Sequence, residues 1–89
     1  MGKLDRLFLM RVTYLDLEKK GLVDIRPLSY LVNLRQVNLR RNRLNSLSAL
    51  ERLPHLNAVY IRDNPDLTLP TIRMAKKHMT NVVLWYSLK

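Results

Sequence analysis

The chain has 89 residues, enough for one small domain, and carries sixteen Lys and Arg against seven Asp and Glu, a formal net charge of +9. It contains no Cys, which excludes disulfides and a thiolate metal site, and no apolar run reaches membrane-spanning length. The strong positive charge favours an acidic partner, and the composition fits an intracellular protein of the cytoplasm or nucleus.

The first eleven residues do not match the pattern that follows them. Leu4, Leu7 and Phe8 have helical spacing, whereas Leu7 and Leu9 alternate as in a strand. We interpret residues 1–11 as an N-terminal cap that covers the apolar flank of the next unit, with an exposed docking helix as the alternative.

From residue 12 onward, apolar residues recur at a step of twenty-two residues. The central unit starts as an alternating strand, passes Asn42 in a turn and then has Leu at every third position; its apolar residues are Leu34, Val37, Leu39, Leu44, Leu47, Leu50 and Leu53. The preceding unit keeps all seven positions apolar, as Val12, Leu15, Leu17, Leu22, Ile25, Leu28 and Leu31. The following unit begins with Leu56, Val59, Ile61 and Asn64. One insertion near residues 65–67 then places Met79, Val82 and Leu84 on the strand positions of a fourth unit. Such a period indicates stacked units that bury a shared core.

The segments LRQVNLRRNRL (34–44), LNAVYIRDNPDL (56–67) and VTYLDLEKKGL (12–22) resemble leucine-rich repeats of the class found in internalins and phosphatase-regulating leucine-rich proteins. The resemblance implies an α/β fold, a short leucine-rich repeat solenoid with about four parallel strands on a concave face. Its convex segments would be 3-10, helical or extended, and both ends would be capped. It also implies that the concave face binds a partner. Lys20 and Ser87 stand where Asn is expected, in terminal units that are often atypical.

One leucine-rich repeat domain, 1–89, follows from this division of the chain. It comprises the cap at 1–11, repeats at 12–33, 34–55 and 56–78, and a terminal strand and cap at 79–89. Strands are expected at 14–17 and 82–85, and a helix is expected from Pro70 onward, capped by Thr68 or Thr71. The side chains of Asn42 and Asn64 are expected to satisfy backbone groups of neighbouring turns.

Alternation along the strands predicts three outward columns. They are Tyr14, Gln36, Ala58 and Asn81; then Asp16, Asn38, Tyr60 and Val83; then Glu18, Arg40, Arg62 and Trp85. This face grades from acidic in the first unit to basic and aromatic in the others. We expect Arg40, Tyr60, Arg62 and Trp85 to cluster, although Trp85 could instead cover the last strand.

Two sets of candidate site residues result, each with ordinary solvated surface as its alternative. The predicted partner-binding residues are Tyr14, Gln36, Asn38, Arg40, Arg41, Tyr60, Arg62 and Trp85. The predicted basic patch consists of Arg35, Arg43, Arg73, Lys76 and Lys77.

The residues favour a non-catalytic protein. His55 and His78 lie in different units, and Gly2 and Gly21, the only glycines, form no phosphate-binding loop. We therefore expect no enzyme activity, no cofactor, no metal and no membrane span.

The leading hypothesis is a binding module, an adaptor or small inhibitor, whose concave face recognises an acidic protein surface. The first alternative is an RNA-, DNA- or nucleoprotein-binding module, because of the charge. The second is a structural unit that self-associates through the edge of its fourth strand. The sequence leaves the oligomeric state open.

Overall fold

The computed structural model of the chain describes residues 6–86. Helices and strands alternate, in the order α1 (Arg6–Met10), β1 (Tyr14–Asp16), 3-10 helix η1 (Arg26–Tyr30), β2 (Gln36–Asn38), 3-10 helix η2 (Ser48–Leu50), β3 (Ala58–Tyr60), α2 (Leu69–His78) and β4 (Val83–Trp85). The chain is thus a small α/β protein, as its sequence pattern predicts.

The four strands form one parallel sheet in the order β1-β2-β3-β4. Leu15 pairs with Val37, and Val37 pairs with Val59, so both steps equal the repeat of the sequence. The prediction of four parallel strands is confirmed, although residues 17 and 82 lie just outside the strands predicted to contain them.

The step from β3 to β4 is longer than predicted. Leu84 pairs with Val59, and Trp85 pairs with Tyr60, whereas the sequence pattern predicted Val83 beside Tyr60 and Trp85 beside Arg62. Val83, and not Asn81, pairs with Ala58. The cause is α2, because a ten-residue helix with its entry and exit turns needs more residues than the 3-10 turns of the earlier links.

The core lies on one face of the sheet, beneath the segments that link the strands. Val37, Leu39, Leu44 and Val59 have no exposed surface. The first unit is less well covered, and its apolar residues Val12, Leu15, Leu17 and Leu22 are only partly buried against the core. A unit at the end of a stack has a neighbour on one side only, so its side chains bury less surface.

The helix α1 contributes one side chain to this core. Leu9 packs against it, while Leu7, Phe8 and Met10 remain exposed. Residues 1–5 of the predicted cap lie outside the described residues, so capping by residues 1–11 stays a prediction.

The turns after the first three strands share a backbone conformation. Lys19, Arg41 and Asp63, spaced by the repeat, have φ angles of 57°, 58° and 62°. Asn42 and Asn64 then turn inward, and each donates from its side-chain amide to backbone carbonyls of its own and the preceding turn. The predicted role of these two Asn residues is confirmed.

Helix α2 begins at Leu69, one residue before the predicted start, and Thr68 is its N-cap. The hydroxyl of Thr68 accepts a hydrogen bond from the backbone N–H of Thr71 at 3.3 Å, and Pro70 lies in the first turn. Ile72, Ala75 and Met79 are buried. No helix within residues 6–86 is long and apolar enough to cross a membrane, and residues 87–89, including Ser87, lie outside the description.

Candidate partner-binding site

The strands present two rows of side chains on the face opposite the core, here called the outer sheet face. The first row consists of Tyr14, Gln36, Ala58 and Val83, and the second of Asp16, Asn38, Tyr60 and Trp85. Each strand contributes one side chain to the second row. From β1 to β4 these side chains are acidic, then polar, then aromatic in the last two strands.

Asn38 occupies the centre of the second row and is 4 % exposed. Its Nδ2 donates to Asp16 Oδ1 and Glu18 Oε1, both at 3.1 Å. Its Oδ1 accepts from the backbone N–H and the Nε of Arg40, again at 3.1 Å. Asn38 was predicted to contact a partner, but its polar atoms are already engaged, so it positions Arg40.

The guanidinium of Arg40 contacts the first ring of an aromatic stack. Its Cζ lies 5.6 Å from the centroid of the Tyr60 ring, within the range of a cation–π contact. The rings of Tyr60 and Trp85 stack at a centroid distance of 6.1 Å with planes inclined by 10°. The corrected register of β4 produces this stack, since it places Trp85 directly beside Tyr60.

A hollow of about 490 Å³ lies at this end of the sheet, lined by Arg40, Tyr60, Arg62, Trp85 and Tyr86. We call these five residues the aromatic–arginine cluster. Four of them were expected from the sequence to lie together. Tyr86 was not among the predicted site residues. Its position next to Trp85 in the sequence was the one feature that could have predicted its place in the cluster.

Carboxylates of the first and third units pair with Arg40 and Arg41. Glu18 lies 4.0 Å from Arg40 and 3.7 Å from Arg41, and Asp63 lies 3.8 Å from Arg41. Arg62 makes no salt bridge with any residue between 6 and 86 and is exposed. The unbalanced positive charge of the cluster is therefore greatest at Arg62.

The remaining predicted partner-binding residues lie apart from the hollow. Tyr14 and Gln36 are exposed in the first row, at the beginning of β1 and β2. Arg41 lies on the turn that follows β2, between Glu18 and Asp63. These residues border the outer sheet face without lining the cluster.

The residues of the predicted basic patch are dispersed. Arg35 precedes β2 and Arg43 follows the turn after it, so they lie beyond opposite ends of that strand. Arg73 and Lys77 are exposed on α2, on the other side of the core from the sheet. Lys76 donates from Nζ to the backbone carbonyl of Val82. The described residues of the predicted basic patch thus lie around β2 and on α2, and their joint role stays a prediction.

Two guanidinium groups, two stacked rings and the phenol of Tyr86 thus line one open hollow. Residues 6–86 contain no group of three or more His, Cys, Asp or Glu that could hold a metal ion. Comparison of the sequence with protein-family models and with curated proteins finds no significant match.

Proposed function

We propose that the chain is a short leucine-rich repeat solenoid that acts as a non-catalytic binding module for an acidic protein surface. The outer sheet face would be its concave face, and the protein would work inside the cell as an adaptor or small inhibitor. The resemblance of the repeats supports the scaffold. The observation that carries the function is the aromatic–arginine cluster, in which Arg40 is held in place and Arg62 lacks an ion pair among residues 6–86.

The residue types of the cluster are those that contribute most to protein–protein affinity. Arg, Tyr and Trp dominate interface hot spots because they offer large contact areas together with directional polar groups. Asn38 fixes the plane of the Arg40 guanidinium before a partner arrives, which reduces the entropy that binding must remove. An acidic surface would complement the net charge of +9 and associate faster through electrostatic steering.

A matched pair of double variants tests this proposal. Arg40→Gln with Arg62→Gln removes two positive charges from the cluster, and Arg73→Gln with Lys77→Gln removes two from α2. A nuclease-treated lysate of the source cell is passed over each immobilised protein. We expect the first variant to lose its protein partners, with affinity reduced at least about tenfold, and the second to retain them. Equal retention by both variants would refute the assigned face.

Nucleic-acid binding is the second candidate, because Arg35, Arg43, Arg73 and Lys77 are exposed and make no ion pair among residues 6–86. Binding to phosphates would give a steep salt dependence, with a slope of about −0.9 in log affinity against log salt for each neutralised phosphate of a duplex. Loss of every partner after nuclease treatment, together with such a slope, would favour this candidate.

Self-association through β4 is a third candidate. Val83 and Trp85 are about half exposed on the edge strand, but the Lys76 side chain occupies the carbonyl of Val82 and blunts one end of that edge. A mass that stays monomeric over a wide concentration range, measured by sedimentation, would remove this candidate.

A further inference from the structure

The aromatic–arginine cluster contains a stack with one open end. Arg40 from the end of β2 covers the Tyr60 ring, and Trp85 of β4 stacks against it. Because β2 and β4 flank β3 on opposite sides, these two contacts occupy opposite faces of the Tyr60 ring. Tyr60 is therefore unavailable for stacking with a ligand.

The open end of the stack is Trp85. This residue lies on the last strand of the sheet, is 54 % exposed, and contacts no aromatic ring or cation within residues 6–86 other than Tyr60. Neighbouring strands are about 4.8 Å apart, so one flat group placed beyond β4 would continue the spacing of the stack. The geometry offers a single stacking position.

The hollow that Trp85 lines also contains a positive charge. Arg62 lines the same hollow as Trp85 and makes no salt bridge within residues 6–86. A carboxylate could pair with its guanidinium through two parallel hydrogen bonds while an adjacent ring rests on Trp85. The hollow of about 490 Å³ lies within the size range of small-ligand sites.

We propose that the cluster recognises an acidic peptide segment that carries an aromatic residue beside its carboxylates. The ring of that residue stacks on Trp85, and a neighbouring carboxylate pairs with Arg62. This inference rests on the proposed function and specifies which feature of an acidic protein is recognised.

The single open face distinguishes this ligand from a nucleic acid. Proteins that bind single strands stack successive bases on several aromatic side chains along a basic groove. Here one of the two rings is covered on both faces, and of the two arginines in the cluster Arg40 already faces a carboxylate, so that Arg62 alone lacks a salt bridge within residues 6–86. One ring next to one anion matches a peptide side chain and its neighbour.

Trp85 is the only Trp of the chain, so its fluorescence reports on this site alone. Three short peptides serve as probes: a Glu-rich peptide with one central Phe, the same peptide with Leu replacing Phe, and the Phe peptide with Gln replacing every Glu. A short oligothymidylate with the charge of the first peptide is the fourth probe. Titration of the full chain is followed by fluorescence, and affinities are measured by calorimetry.

We expect the Phe–Glu peptide to change the Trp85 emission and to bind about fivefold tighter than its Leu counterpart, since stacking adds to the buried area. The uncharged Phe peptide should bind more weakly than either. In Trp85→Leu the preference for Phe over Leu should disappear, whereas Trp85→Phe, which retains a ring, should keep part of it. Tyr30→Leu removes an exposed aromatic of η1, outside the cluster, and should leave the preference unchanged.

Three outcomes would overturn the inference. Equal binding of the Phe and Leu acidic peptides would exclude recognition of a ring and leave the proposed function intact. Absence of binding by both acidic peptides would contradict the proposed function as well. Tighter binding of the oligothymidylate than of the Phe–Glu peptide, with a Trp85-dependent change in emission, would assign the site to nucleic acid.

Discussion

Among single residues, Asn42 is one whose side chain connects two neighbouring turns of the backbone. Its Oδ1 accepts from the backbone N–H groups of Lys20 and Leu22, both at 3.0 Å, and its Nδ2 donates to the carbonyls of Leu17 and Leu39 at 2.9 Å. A carboxamide suits this position because it carries an acceptor oxygen and a donor nitrogen with two hydrogens on one short side chain. Asn64 repeats the arrangement one unit later, with Leu44 as its donor.

Replacement of Asn42 by Ala should lower the free energy of unfolding by about 3 kcal/mol or more, because several backbone groups would lose their partners. Urea denaturation followed by circular dichroism measures this change. Asn57→Ala is the control, since Asn57 is exposed, and it should cost less than about 0.5 kcal/mol. A cost for Asn42→Ala no larger than that of the control would contradict the role of the side chain.

The surface ion pair between Arg26 and Asp24 is the basis of a second prediction about single residues. The guanidinium of Arg26 donates to both carboxylate oxygens of Asp24, at 3.0 Å and 2.7 Å, and these hydrogen bonds hold the pKa of Asp24 below its ordinary value of 3.8. The pair's contribution to stability is therefore present above the pKa of the unfolded chain and is lost as the pH falls through the lowered pKa. Both groups are on the surface, so the contribution is small.

The carboxyl resonance of Asp24, followed by NMR during an acid titration, should have its midpoint below 3.8 in the native protein. Arg26→Gln should move that midpoint upward, while Arg52→Gln should not. An unchanged midpoint in Arg26→Gln would show that the guanidinium does not set this pKa.

At the level of the repeat units, equivalent apolar side chains are buried to different extents. Leu44 and Leu22 hold equivalent positions, yet Leu44 has no exposed surface and Leu22 is only partly buried. The difference arises because the central unit has neighbours on both sides and the first has one. Position within the stack thus decides how much each Leu stabilises the fold.

Leu44→Ala should lower the free energy of unfolding by about 3 kcal/mol and Leu22→Ala by about 1 kcal/mol, since the cost grows with the cavity left behind. The same ordering should appear in hydrogen exchange, with amides of β1 exchanging faster than those of β2 and β3. Equal costs for the two substitutions would indicate that the first unit is packed as tightly as the second.

The charge of the whole molecule opposes its compact state. The excess is largest over residues 34–55, where five Arg stand against one Glu, and the ion pairs of Glu18 and Asp63 offset only part of it. Folding brings these like charges together, so their repulsion disfavours the native state.

Added sodium chloride should therefore increase the stability of the native protein, by about 1 kcal/mol between low salt and a concentration at which the screening length is only a few ångströms. Urea titrations at several salt concentrations measure the change. The double variant Arg73→Gln with Lys77→Gln carries less positive charge, so its free energy of unfolding should increase less with added salt. A stability that falls with salt would mean that the attractive pairs outweigh the repulsion.

The resemblance of the repeats implied four parallel strands. The residues themselves predicted the register of the first three strands, the inward-turning Asn42 and Asn64, and a helix near Pro70. These features depend on local chemistry: alternation fixes which side chains face the core, and a hydroxyl before a Pro-containing turn begins a helix. Each strand also meets a neighbour with the same sequence spacing, so a constant step implies a constant register.

The register of β4, the burial of Asn38 and the orientation of Arg40 depended on the tertiary structure. The apolar pattern matched Met79, Val82 and Leu84 to Leu56, Val59 and Ile61. The sheet instead pairs Leu84 with Val59, because α2 lengthens the link between β3 and β4. Asn38 is buried by groups contributed by neighbouring strands, which no local pattern reports. The stack of Tyr60 and Trp85 exists because that register places two rings side by side, so the composition of the candidate site is readable from the sequence and its geometry is not.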